Sequence, residues 1–110
     1  MVLLGTSQVY ANDSAKEDRA FKLYQQAGEL FEVNQFAEAV DKLKQAHTLF
    51  PEAIILVKMA EGLEHLGRLE EAIEAFKQVE TRDQELTNRV RIAVRRLEVA
   101  LTKRVPVSLD

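Results

Sequence analysis

The chain has 110 residues, 46% of them hydrophobic and 30% charged, with 4 glycines, 2 prolines and no cysteine. One hydrophobic core is all that this length holds; the composition excludes a low-complexity or collagen-like chain, and the lack of cysteine excludes a disulfide framework, a thiolate nucleophile and a thiolate metal site. The net charge of -3 divides unevenly: residues 1–80 carry eight Lys/Arg against fourteen Asp/Glu, a net of -6, and residues 81–110 carry seven against four, a net of +3, neither block dense enough to point to nucleic acid.

Residues 1–13 differ in character from the rest of the chain and read as a signal-peptide remnant or a disordered N-terminus. Val9-Tyr10-Ala11 has small residues where a signal peptidase reads them, and Val2 to Leu4 resemble the end of an apolar leader core. Export is the resulting expectation, with the cytoplasm as the alternative.

Helix one is expected to open at Ser14-Ala-Lys-Glu17, a capping box in which the Ser14 hydroxyl accepts from the Glu17 amide. It runs to about Val33, buries Leu23, Ala27 and Leu30, and breaks at Asn34-Gln35. Helix two, from Phe36 to about Leu49, buries Phe36, Ala39, Val40, Leu43 and Ala46, and Pro51 stops it for want of an amide. Helix three, about Glu52 to Leu66, buries Leu56, Met59, Ala60 and Leu63, and Gly67 supplies the left-handed residue that closes it. Helix four, about Leu69 to Glu80, buries Leu69, Ala72, Ile73, Phe76 and Val79. Thr81-Arg-Asp83 then offers caps for helix five, about Gln84 to Arg104, with the stripe Leu86, Val90, Ala93, Val94, Leu97 and Leu101. In the closing Val105-Pro-Val-Ser-Leu-Asp110 the apolar period switches to two, so residues 105–110 read as a tail or the first strand of a missing β domain.

The stretch Asn34 to Ala46 recurs, loosely but in register, as Gly67 to Val79: Phe36 matches Leu69, Ala39 matches Ala72 and Leu43 matches Phe76, a constant offset of 33 residues (72 minus 39). A period of this size marks a helical repeat array. Its units fall at about 18–51 and 53–84, with helix five, 84–104, covering the open end in place of a third unit, so that 14–104 form one repeat domain.

With those residues aligned, the chain resembles the tetratricopeptide repeat (TPR) family, whose pattern is W-x2-L-G-x2-Y, then A-x3-F, then P. Leu23, Gln26, Ala27, Leu30, Ala39, Leu43 and Pro51 fill those places in the first repeat, and Leu56, Met59, Ala60, Leu63, Ala72 and Phe76 in the second. Leucine replaces the aromatic residue and the tyrosine in both repeats, Gln26 sits at a normally apolar place, and the second repeat lacks its proline. The chain is also similar to bacterial exported TPR proteins with two repeats and a capping helix. The resemblance implies an all-α fold, a TPR-like right-handed α-α superhelix of two helical hairpins plus a C-terminal capping helix. It implies a protein–protein interaction module or scaffold that binds a peptide or helix of a partner in its concave groove.

Carrying the family's groove places over gives Phe21, Tyr24, Gly28 and Phe31 from helix one; Ile54, Val57, Glu61 and Glu64 from helix three; and Asn88, Arg91, Arg95 and Glu98 from helix five. The partner-binding set is Tyr24, Gly28, Phe31, Val57, Glu61, Glu64, Arg91 and Arg95, with an anchor pocket at Tyr24 and Phe31 where Gly28 leaves room. Two competing readings stand beside it. Phe21 and Phe31 pack against residues 1–10, or Arg91 and Arg95 pair with Glu61 and Glu64 across the helix contact rather than holding a ligand carboxylate or phosphate. Tyr24 and Gly28 occupy places where chaperone-clamping members carry lysine and asparagine, which disfavours that subclass.

No enzyme motif emerges. Glu61-Gly-Leu-Glu64-His65 approaches H-x-x-E-H but has a glutamate where the first histidine ligand belongs, and His47 stands alone on helix two. No catalytic residues, metal or cofactor are therefore assigned. The apolar stripe of the Arg-rich fifth helix is needed to cover helix four, which argues against a membrane or a nucleic acid as its partner. Two further functions compete with groove binding: a homodimer through the apolar repeat ends, and an accessory domain of a larger envelope protein or enzyme.

Overall fold

The computed structural model describes the backbone of residues 2–104 and the side chains of residues 13–103; residues 105–110, and with them the tail or strand expectation, lie outside the described residues. Among the described residues the fold is all-α, with five helices in chain order: α1 (Val2–Glu32), α2 (Phe36–Leu49), α3 (Ala53–His65), α4 (Leu69–Lys77) and α5 (Gln84–Arg104). Among the described residues there is no strand. Each helix packs chiefly on the next in the chain.

Helix α1 passes through Ser14 without a break, so the expected helix start there is corrected. Inside a helix the Glu17 amide already has a backbone acceptor one turn back, and the Ser14 hydroxyl has no orphan amide to cap. The leader reading of Val2 to Leu4 and Val9 to Ala11 falls on residues whose side chains are outside those described.

The turns that join the helices repeat bond for bond. After α1, Asn34 takes φ 60°, its N–H donates to the Phe31 carbonyl at 3.0 Å, and the Gln35 N–H donates to the Leu30 carbonyl at 2.9 Å. After α3, Gly67 takes φ 75°, its N–H donates to the Glu64 carbonyl at 2.9 Å, and the Arg68 N–H donates to the Leu63 carbonyl at 3.0 Å. Both are Schellman closures with the left-handed residue just past the helix, which suits glycine best and asparagine next. The residues that open the next helices also match: Gln35 has φ -93° and ψ 70°, Arg68 φ -87° and ψ 69°. The 33-residue offset seen in side chains is therefore present in the backbone. Helix α2 stops at Leu49, two residues before Pro51. Helix α5 opens on Asp83, whose Oδ1 accepts the Leu86 amide at 3.1 Å while the Thr81 hydroxyl accepts the Asp83 amide at 3.1 Å.

The core forms two interlocked clusters. One unites Ala20, Leu23 and Ala27 of α1, Ala39, Leu43 and Ala46 of α2, and Ile55 of α3. The other unites Leu56, Val57, Ala60 and Leu63 of α3 with Ala72, Ile73, Ala75 and Phe76 of α4, Ala93 and Leu97 of α5, and Val40 of α2. Val40 and Ile55 each cross into the cluster of the other hairpin, which ties the two together. Six alanines in these clusters, at 20, 27, 39, 46, 60 and 72, have no exposed surface, the small side chains that let helix axes approach. Helix α3 is the central element, flanked by α2 and α4.

A candidate binding groove on the first and third helices

The exposed side of α1 and α3 is built from residues that the core leaves over. Phe31, half-buried near the end of α1, packs edge-on against Phe36 with centroids 5.3 Å apart, and against His65 at 6.1 Å. The His65 ring in turn stacks flat on Phe36, centroids 4.2 Å apart and planes 4° from parallel. The Lys58 ammonium sits over the Phe31 ring, 4.6 Å from its centre, a cation–π contact. Two open depressions share Phe31 and Lys58: one extends along α1 past Gln25, Gly28, Glu29 and Glu32, the other along α3 past Glu61, Glu64 and His65. Glycine at position 62 lets α3 sit against Val40 of α2 and the Phe31 ring; a methyl there would lie 2.7 Å from Val40 Cγ2 and 3.2 Å from Phe31 Cζ. Gly28 differs in kind, since a methyl group there would meet nothing within 4 Å.

The second depression ends at a seam of ion pairs between α3 and α5. Glu61 accepts from the Arg89 guanidinium and lies 3.7 Å from Lys58 Nζ. Glu64 accepts from both terminal nitrogens of Arg96, one of them at 3.1 Å. These pairs are partly exposed and contribute roughly 0 to 1 kcal/mol each, enough to fix the side chains more than to hold the helices together.

Several site expectations meet the structure directly. Tyr24 is half-buried and packs against the first core cluster, while Gly28 and Phe31 line the depression on α1. Val57 has no exposed surface and is corrected: it is a core residue, and Lys58, next along the helix, holds the groove place instead. The cause is that α3 is buried on two sides, so Ile55, Leu56 and Val57 are all inside. Glu61 and Glu64 line the groove but are already paired, with Arg89 and Arg96 rather than with Arg91 and Arg95. Arg91 and Arg95 point away from that seam, both exposed; the Arg91 guanidinium lies 3.3 Å from the Asn88 side-chain oxygen. Phe21, half exposed, lies against Phe50 at 6.0 Å, and Glu98 lies 3.5 Å from Lys77. Lys58, Arg89 and Arg96 are the residues that the sequence reading misses. A spacing signal is present for the arginines, since 89 and 96 lie seven apart on one side of α5, beside the buried Ala93.

Comparison of the chain with protein families, with curated proteins and with solved structures finds no match, so its function has to be read from its own residues.

Proposed function

We propose that the chain is a protein–protein interaction module of the tetratricopeptide type, without catalytic chemistry of its own, that holds an extended peptide or a helix of a partner along α1 and α3. The observation that carries this reading is Phe31: a half-buried aromatic ring on the floor of an open depression, with free space above Gly28 one turn away. An apolar side chain entering there meets an aromatic face and a lysine stem, and its backbone meets carboxylates and amides at the rim. The repeated turns at Asn34 and Gly67 support the two-hairpin stack that such a module uses. Export is part of the same proposal, resting on Val9-Tyr10-Ala11, and N-terminal sequencing of the protein recovered from its cells tests it.

The binding reading is tested by selecting peptides from a random library on the intact chain and measuring their affinity for variants. Phe31→Ala removes the floor and Gly28→Leu fills the space, and each is expected to weaken the selected peptides at least tenfold, about 1.4 kcal/mol. Arg95→Ala should leave them unchanged. Peptides that bind all three variants equally would place the binding surface elsewhere.

A further inference from the structure

Helix α5 carries a second apolar feature, separate from the stripe that covers α4. Ile92 is 62% exposed and Val99 50% exposed. They lie seven residues apart, on one line of the helix, opposite the buried Ala93 and Leu97 side. Along the same line stand Asn88, Arg95 and Thr102, so the strip Asn88, Ile92, Arg95, Val99, Thr102 has the alternating four- and three-residue spacing of a coiled-coil seam. Its arginines are of a different kind from those facing α3. Arg89 and Arg96 are neutralised by Glu61 and Glu64, whereas Arg95 has no ionic or hydrogen-bond partner among the described residues and Arg91 reaches only the neutral Asn88.

From this division of charge we infer that the outer strip of α5 is a docking face for an acidic amphipathic helix of another protein, one with apolar residues at heptad spacing flanked by glutamate or aspartate. Charge decides between the occupants. A second copy of this chain, laid across the strip by a two-fold axis, brings Arg95 into the same seam as its counterpart, and the carboxylate that flanks the strip, Glu98, already lies 3.5 Å from Lys77 Nζ. A helix with carboxylates beside its apolar seam turns Arg91 and Arg95 into paired cations and covers Ile92 and Val99 in the same step. The surface goes beyond the α1 and α3 groove, since it shares no residue with it.

The test uses the intact chain, isotope-labelled, and two synthetic three-heptad helices that carry the same leucine seam. One has glutamate at the flanking positions and the other lysine. The acidic helix is expected to shift the backbone amide signals of residues 88–102 and to bind at least tenfold more weakly to Arg91→Gln/Arg95→Gln and to Ile92→Asp, while Phe31→Ala binds it as the parent does. The lysine helix should leave the spectrum unchanged. Ile92 is exposed, so its replacement leaves the core intact, and an unaltered circular dichroism spectrum verifies this. Equal binding of both helices, or shifts confined to the α1 and α3 groove, would overturn the inference. So would a dimer in sedimentation equilibrium that Ile92→Asp dissociates, which assigns the strip to a second copy, or pelleting with phosphatidylserine vesicles that Ile92→Asp abolishes, which assigns it to a lipid surface.

Discussion

A methyl group at position 62 would meet Val40 Cγ2 at 2.7 Å, and Val40 is β-branched and stiff, so it has little room to turn away. Alanine gains up to about 1 kcal/mol over glycine as a helix former, but the clash outweighs that gain. Gly62→Ala is expected to lower stability by roughly 1 to 3 kcal/mol in urea unfolding, the range for overpacking a filled interior. The two left-handed residues predict opposite responses to substitution. Gly67→Ala places a Cβ at φ 75° and should cost about 1 to 2 kcal/mol, whereas Asn34→Gly relieves the same constraint at φ 60° and should be neutral or slightly stabilising. At the start of α4 the Arg68 guanidinium donates to both oxygens of Glu71, at 2.8 and 2.6 Å. This hydrogen bonding holds the Glu71 carboxyl below its ordinary range and raises Arg68. For Glu71 the folded pKa lies below the unfolded one, so its contribution is present above the ordinary glutamate range and is lost as pH falls through the lowered folded value. Both groups are exposed and the effect on stability is small. Carbon-detected titration of Glu71 should show a lowered midpoint that moves up toward the ordinary glutamate range in Arg68→Ala.

Among the elements, α2 is the most legible from sequence: Ala39, Val40, Leu43 and Ala46 are buried as the spacing predicts, Phe36 is only half-buried, and the helix ends just before Pro51. Helix α3 is less so. A one-stripe reading assigns Leu56, Met59, Ala60 and Leu63 to the core, but Met59 is only partly buried while the contacts with α2 and α4 also bury Ile55 and Val57, and only the neighbours reveal that. The start of α1 is hidden for a local reason: a serine with a glutamate three residues on is a cap only where the helix begins, and the same pair is silent inside one. The groove is legible at Gly28, Phe31, Glu61 and Glu64, whose places come from the repeat. It is not legible in the arginines of α5, since carrying α3 over at a fixed offset puts Arg91 and Arg95 where the structure has Arg89 and Arg96. The ion pairs between α3 and α5 follow their own spacing, since Glu61 and Glu64, three residues apart, meet Arg89 and Arg96, seven apart. Leu97, 2% exposed, is its main anchor, and Leu97→Ala should cost roughly 2 to 5 kcal/mol in thermal or urea unfolding.

Among the described residues, contacts run chiefly from each helix to the next, and Val40, Ile55 and the partly buried Met59 stitch the two core clusters across. Stability in such a stack is close to a sum of local terms and nearest-neighbour terms, so a defect at one end weakens with distance. Hydrogen exchange of Leu97→Ala should show protection falling most in α5, less in α4 and α3, and least in the α1–α2 pair; uniform loss would mean that the chain unfolds as one unit. The equivalence of the two turns reaches further than the present pair of hairpins. The peptide bonds after Gln35 and after Arg68 sit in the same backbone conformation, each joining a Schellman closure to the first residue of a helix. A cassette spanning residues 36–68 thus has interchangeable ends, and a chain in which it is spliced in twice meets the same junction at every seam. Duplication or excision of that length would therefore keep the backbone geometry of each joint, and a chain lengthened by one such cassette is expected to keep the same two hydrogen bonds at every seam.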